Sequence, residues 1–210
     1  MKEFCKKWFS KEGLLNIFHS FVWVAILVFV VDIVTKWVVQ NNLVYDGNSV
    51  ALISKFLYVT LTHNVGAAFS IGDGGTLGWR IFWIVISFLL TGAIIFVFAK
   101  YFKKFSYTQR IALTLMIGGA FGNLIDRTFY WESTVGFEGV IDWINFHFGS
   151  IDFAIFNIAD ACLVIGVVIL VLVEVINLIK EVREKDKRGE YDIAPAELEK
   201  KKQDEDRKDK

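Results

Sequence analysis

Apolar residues run through this chain in four long blocks, at positions 14–39, 77–99, 111–127 and 153–179. A helix needs about 20 predominantly apolar residues to cross the hydrocarbon core of a bilayer. Three of the blocks reach that length outright, and the third, "IALTLMIGGAFGNLIDR", is short. The pattern predicts a mainly α, polytopic membrane protein with four transmembrane helices. The two longer connections, 40–76 and 128–152, read differently. "VALISKFLYVTLTHNVGAAFSIG" is rich in Val, Ile, Leu, Tyr and Thr before a glycine-rich end, which favours a short sheet or hairpin. "YWESTVGFEGVIDWINFHFG" is aromatic and β-prone, with three glycines as breaks.

Composition agrees with the pattern. Of 210 residues, 54% are hydrophobic, and the mean hydropathy is +0.46, above the usual range for soluble domains. The net charge of zero conceals blocks of charge. Lys2, Lys6, Lys7 and Lys11 precede the first span, in a basic segment over 1–13. Lys100, Lys103, Lys104 and Arg110 fill the link between spans two and three, and Lys180 and Arg183 follow span four. The connection 40–76 holds only Lys55, and 128–152 holds no lysine or arginine. Because cytoplasmic flanks retain the basic residues, both termini are expected in the cytoplasm and both longer loops outside. The first span is too long for a signal-peptide apolar region and is followed by no small-residue cleavage site, so it is expected to stay attached. Residues 180–210 hold the only proline and little that could form a core, which suits a charged cytoplasmic tail, partly helical or disordered. No basic face remains for nucleic acid. Cys5 and Cys162 are too few for a disulfide framework or zinc site, and His19 and His147 have no partners at metal-ligand spacing, so neither metal nor cofactor is expected.

Orientation gives each intramembrane polar residue a depth. Asp32, Thr35 and Lys36 fall near the outer end of span one; Arg80 opens span two; Asn123, Asp126 and Arg127 end span three; Asn157 and Asp160 lie in the first turns of span four. Chain directions alternate, yet these residues form one layer toward the outer face, with Glu174 the exception at the inner end. Spacings of three or four residues place Asp32 with Lys36, Asn123 with Arg127, and Asn157 with Asp160 on single helix faces. A charge near the bilayer centre costs roughly 2.5–3.5 kcal/mol even on the lenient insertion scale, so these faces must turn toward one another or toward water. Asp32 with Lys36, and Asp126 with Arg127, read as ion-paired struts, and "GGAFGN" (118–123) as a close helix-packing surface.

Asp142 and Asp160 are different, because neither has a lysine or arginine within four positions. Asp152 is similar but sits where span four meets water, and the residues alone leave it a rival to Asp142. Two carboxyl groups held close together share one proton. The ionised member can draw a proton from water while the neutral one polarises a carbonyl, which is general acid–base hydrolysis of an amide. A layer near the outer surface is shallow enough for that water. No G-x-S-x-G motif supports a serine nucleophile.

"DIVTK" (32–36), "NVGAAF" (64–69), "GGAFGNLIDR" (118–127) and "GVIDW" to "FNIAD" (139–160) resemble, in order and spacing, the motif blocks of lipoprotein signal peptidase, or signal peptidase II. The resemblance covers roughly residues 14–179. It implies a bacterial inner-membrane aspartyl endopeptidase, the target of globomycin, that cuts signal peptides from prolipoproteins just before a cysteine carrying diacylglycerol. It places the catalytic pair on Asp142 and Asp160 and decides against Asp152. It puts substrate-binding or supporting roles on Asn64, Gly66, Asn123, Arg127 and Asn157. Asp32, Lys36 and Asp126 match positions that hold the site together, and 40–76 would form an extracytoplasmic β-cradle. Lipidated precursors and membrane phospholipid are the implied partners, and a monomer the implied unit. Trp143 stands where Phe is more usual. The competing reading is a small proton- or ion-coupled transporter using the intramembrane acids, against which the one-sided polar layer counts; a non-catalytic scaffold is the third.

Overall fold

The computed structural model describes residues 18–45, 47, 49–66, 77–129, 139–149 and 151–188. The basic N-terminus, the stretch from Ala67 to Phe69 of the second motif block and the tail beyond 188 lie outside the described residues. The chain divides into two units, 1–169 and 170–210. The described part of the second is the end of one helix, where Glu181 and Lys185 form an exposed ion pair one turn apart, 2.6 Å between Oε1 and Nζ.

The elements run α1 (Val22–Asn42), β1 (Val50–Ile53), β2 (Leu57–Asn64), α2 (Leu77–Tyr101), a 3-10 turn (Phe102–Lys104), α3 (Tyr107–Phe129), β3 (Val140–Phe148), β4 (Ile151–Asp152) and α4 (Ile158–Lys187). Among the described residues, three helices are long and apolar enough to cross a membrane: α1, α2 with its 3-10 turn, and α4. Their outward residues are large and apolar, among them Ile26, Val34, Trp37, Phe88, Leu90 and Val164. A soluble protein seldom presents such continuous apolar faces; lipid is their natural solvent.

Helix starts are where sequence and structure part. α3 begins at Tyr107, four residues before the expected block, because Ser106 and Gln109 form a reciprocal cap. The Gln109 N–H donates to Ser106 Oγ at 3.3 Å, and the Ser106 N–H donates to Gln109 Oε1 at 2.9 Å. That pairing satisfies donors the first turn would otherwise leave open. α4 begins at Ile158, five residues later than the apolar run from Phe153 suggested. The segment before it is extended: Trp143 and Ile144 N–H donate to the Phe156 carbonyl at 3.0 and 2.8 Å, and Phe156 N–H returns to Ile144 at 3.1 Å. An apolar run is compatible with strand or helix, and here the cap at Asn157 decides.

The two longer connections build one antiparallel sheet, β1-β2-β3, with the two-residue β4 beside β3. β2 and β3 pair Thr62 with Asp142, His63 with Ile141 and Asn64 with Val140. Val39 of α1, Leu61 of β2 and Ile141 of β3 form a buried apolar cluster that seats the sheet on the end of α1.

α3 is wedged between α1 and the start of α4, and its glycines make that possible. A Cβ on Gly118 would lie 2.6 Å from the Ala25 carbonyl oxygen; one on Gly119 would overlap the Ala159 carbonyl, and one on Gly122 the Asp32 carboxylate. Gly92, on α2, has nothing within 4 Å of its Cβ position. Thermal melts in detergent should therefore show Gly119→Ala and Gly122→Ala destabilising by about 1–3 kcal/mol, with Gly92→Ala neutral or stabilising by up to about 1 kcal/mol. Equal effects at the three positions would contradict the packing.

Candidate active site

The cap that starts α4 also builds the site. Asn157 occupies the N-cap: its Oδ1 accepts from the Asp160 N–H at 2.9 Å, and its own N–H donates to Asp160 Oδ2 at 3.2 Å. Asx residues favour this position because the side-chain oxygen replaces a missing helical acceptor, and a carboxylate three residues on completes the exchange. Asp160 is thereby fixed over the first turn, where the helix dipole favours negative charge.

Asn157 is also the bridge to β3. Its Nδ2 donates to Asp142 Oδ1 at 2.7 Å, with the Ile141 carbonyl at 3.3 Å and Asn123 Oδ1 at 3.1 Å. Asp142 and Asp160 therefore converge on one residue. Alternate residues of a strand share a face, so Asp142 lies beside Val140, whose ladder partner is Asn64. Asn64 Nδ2 donates to Asp142 Oδ2 at 3.2 Å, while the Gly66 N–H donates to Asn64 Oδ1 at 3.1 Å and holds that amide in orientation. Asn123 Nδ2 donates to Asp160 Oδ1 at 2.7 Å. Asp142 is 2% exposed, and Asp160 is half-buried.

Behind the pair is a buried ionic group. Lys36 Nζ lies 2.6 Å from Asp32 Oδ2 and 2.8 Å from Asp126 Oδ2, and donates to Asn123 Oδ1 at 3.1 Å. Asp126 was expected to pair with its neighbour Arg127. It pairs instead with Lys36, because adjacent residues point to different faces of a helix. The half-buried Arg127 guanidinium donates to the Asn123 carbonyl at 3.4 Å, within the fields of Asp160, Asp142 and Asp126. Removing one partner from such a buried group costs about 3–5 kcal/mol.

The other members of the expected polar layer stand apart. Thr35 bonds back to the Val31 and Asp32 carbonyls at 2.8 and 2.9 Å, and Arg80 donates to the Thr128 carbonyl at 3.2 Å. The backbone of Asp152 lies opposite His147 in the strand ladder, about 16 Å along the strand from Asp142 at 3.3 Å per residue. What the sequence did not disclose is the backbone's part. The Ala159 N–H donates to Asp32 Oδ1 at 2.9 Å, and the Ile141 N–H to Asp126 Oδ2 at 3.3 Å; no side-chain chemistry flags such donors. Among the described residues, no group of three His, Cys, Asp or Glu side chains is arranged to hold a metal ion.

Burial, and next the neighbouring Asp160 carboxylate, push the Asp142 carboxyl up to about 7, against the lowering effects of the Asn64 and Asn157 amides and the Lys36 charge. A carboxyl so placed is poised to exchange a proton near neutral pH.

This arrangement has relatives. The family profile described as signal peptidase (SPase) II matches residues 24–176. A lipoprotein signal peptidase of Bacillus pumilus (strain SAFR-032) is 37% identical over 147 residues, 70% of this chain and 86% of that protein. A lipoprotein signal peptidase of Geobacillus kaustophilus (strain HTA426) is 33% identical over 154 residues, 72% and 90% of the two chains. Two solved structures, each described as a bacterial membrane enzyme determined by the in meso method, at 2.3 and 1.9 Å, superpose with TM-scores of 0.61 and 0.59. Each is 32% identical to this chain and matched over 90% of its own length, covering 78% and 72% of this one. The chain belongs to the signal peptidase II family and is a membrane-bound peptidase of the aspartic type. That membership selects the peptidase reading over the transporter and the scaffold.

The raised Asp142 value carries a stability consequence. The folded state binds this proton more tightly than the unfolded chain, so the contribution is fully present below about pH 4 and lost as pH rises through about 7. Melting temperature should fall across that window, and the fall should be smaller in Asp142→Asn. Parallel profiles for the two proteins would contradict the assignment.

Proposed function

We propose that this chain removes signal peptides from prolipoproteins, cutting just before the diacylglyceryl-modified cysteine, with Asp142 and Asp160 as a pair that shares one proton. Signal-peptide removal follows from the family. The pairing is carried by one observation, the convergence of both carboxylates on Asn157.

In this reading the scissile carbonyl and one water lie between the carboxyls. The ionised member takes a proton from the water, whose oxygen attacks the carbonyl carbon, while the protonated member gives its proton to the carbonyl oxygen. The C–N bond of the tetrahedral intermediate then breaks as the newly protonated carboxyl delivers its proton to the amine nitrogen. The other carboxylate recovers a proton from the collapsing diol. No covalent enzyme intermediate forms. Asn64, Asn123 and Asn157 aim the carboxylates, Gly66 holds Asn64, and Arg127 offsets negative charge as it develops.

The same reading makes α3 the fourth crossing, in a membrane domain over 14–179 with both termini cytoplasmic. The sheet and the carboxylates then lie toward the outer leaflet, and a monomer embedded in phospholipid is the working unit. α3 has 23 residues, enough to cross, and it turns Thr114, Asn123 and Asp126 inward. An apolar groove of about 380 Å³ between α2 and α3, lined by Phe88, Phe121 and Ile125 among others, suits an acyl chain or an apolar stretch of signal peptide.

The decisive assay measures cleavage of a lipidated precursor by enzyme in lipid, with globomycin as the inhibited control. Asp142→Asn and Asp160→Asn should each insert normally and lose cleavage by at least about 10²–10⁴-fold. Wild-type rates from either variant would refute the pair.

A further inference from the structure

An ammonium group has three N–H donors, and those of Lys36 meet three acceptors: Asp32 Oδ2, Asp126 Oδ2 and Asn123 Oδ1. Lys36 is 1% exposed, and Asp32 and Asp126 are 0% exposed. A lysine placed so is expensive to desolvate. The same packing could have been made with apolar side chains, so the charge invites a functional explanation.

Each acceptor is one step from Asp142 or Asp160. Asp32, held by Lys36 through Oδ2, takes the Ala159 N–H on Oδ1, and Ala159 is the residue before Asp160. Asp126, held through Oδ2, takes the Ile141 N–H on that same oxygen, and Ile141 is the residue before Asp142. Asn123 offers its Oδ1 to Lys36 and to Asn157, which turns its Nδ2 toward Asp160. Without a cation at Lys36, the Asn123 amide could turn over and present oxygen to the Asp160 carboxylate. The arrangement joins the helix carrying one acid to the strand carrying the other through one ammonium group.

We infer that Lys36 is the positioning residue for both members of the acid pair, setting their separation through Asp32, Asp126 and Asn123 and setting by its charge the pH range over which they share a proton. The inference rests on the two-aspartate reading above and adds the group that governs it. The charged groups facing this region come from every element around it: Asp32 on the lysine's own helix, Asp126 and Arg127 on α3, Asp142 on β3 and Asp160 on α4. Lys36 and the two carboxylates beside it therefore act on the pair in opposite senses. The ammonium favours its ionised forms, and Asp32 and Asp126 oppose them. The lowering action of Lys36 on Asp142 agrees with this.

The test is the pH dependence of kcat and KM for cleavage of a lipidated precursor, using the full chain in lipid. Wild type should give a bell, its limbs reporting loss of the first and second protons from the pair. Lys36→Met should lower the maximal kcat on the order of 10²-fold with KM nearly unchanged, and move both limbs to higher pH by about one unit or more. Asp32→Asn and Asp126→Asn keep an acceptor oxygen but lose a negative charge, and both limbs should move to lower pH. A purely structural part would reduce the amount of folded enzyme and leave the limbs in place. Limbs that stay put, or that move the same way in all three variants, overturn the inference. If Lys36→Met does not accumulate, the two asparagine variants decide alone: a downward move supports it, and no move or an upward one overturns it. Asp142→Asn and Asp160→Asn run alongside. If both are inactive while the limbs stay fixed, only the role of Lys36 falls; if either is active, the acid pair itself falls.

Discussion

A charge inside a membrane has to find its counter-charge within the protein, because lipid supplies neither hydrogen bonds nor solvation. In this chain that requirement brings Asp32, Lys36, Asn123, Asp126, Asn157 and Asp160 together from three helices, with Asp142 joining them from the sheet. The glycines of α3 are a consequence. Gly122 faces the Asp32 carboxylate and Gly119 the Ala159 carbonyl, and a side chain at either would hold apart the groups that must meet. The polar cluster and the close helix packing are one solution to one constraint.

Much of this was legible in the sequence, for a physical reason. Apolar helices announce themselves by length and hydropathy, and chain directions that alternate from one to the next bring their polar residues to one level, where the structure gathers them. The β-prone character of both longer connections was also legible from Val, Ile and Tyr content. Their union was not, since pairing Asn64 with Val140 depends on a tertiary approach that no local pattern encodes. The start of α4 was misplaced because "FAIF" is equally apolar as strand or helix. "NIAD" and "SYTQ" nonetheless carry the spacing of reciprocal caps, and reading them would have set both helix starts. α3 was the shortest of the four expected spans, and it is more enclosed than the other helices. A helix packed between others can turn threonine, asparagine and aspartate inward, which lowers its mean hydropathy. The exchange of Arg127 for Lys36 as the partner of Asp126 has the same origin. Sequence neighbours suggest pairs, whereas helix faces determine them.

The site also shows how stability and chemistry oppose each other. A buried carboxyl beside a second one holds its proton more tightly than it would in water, which brings its proton exchange to near neutral pH. The ionised form of the same group is disfavoured by the fold. The amides of Asn64 and Asn157 moderate that conflict by donating to Asp142. Lys36 moderates it at longer range. Enzymes commonly carry such locally unfavourable groups where chemistry occurs, with the surrounding structure holding them in place.

The central claim is a single proton held jointly by two side chains, and infrared spectroscopy of the lipid-embedded protein observes that proton directly. Near pH 6 the account predicts a protonated-carboxyl stretch that fades as pH rises through about 7 and that is altered by Asp142→Asn and by Asp160→Asn alike. A stretch indifferent to both substitutions, or fully ionised carboxyls throughout that range, would contradict it.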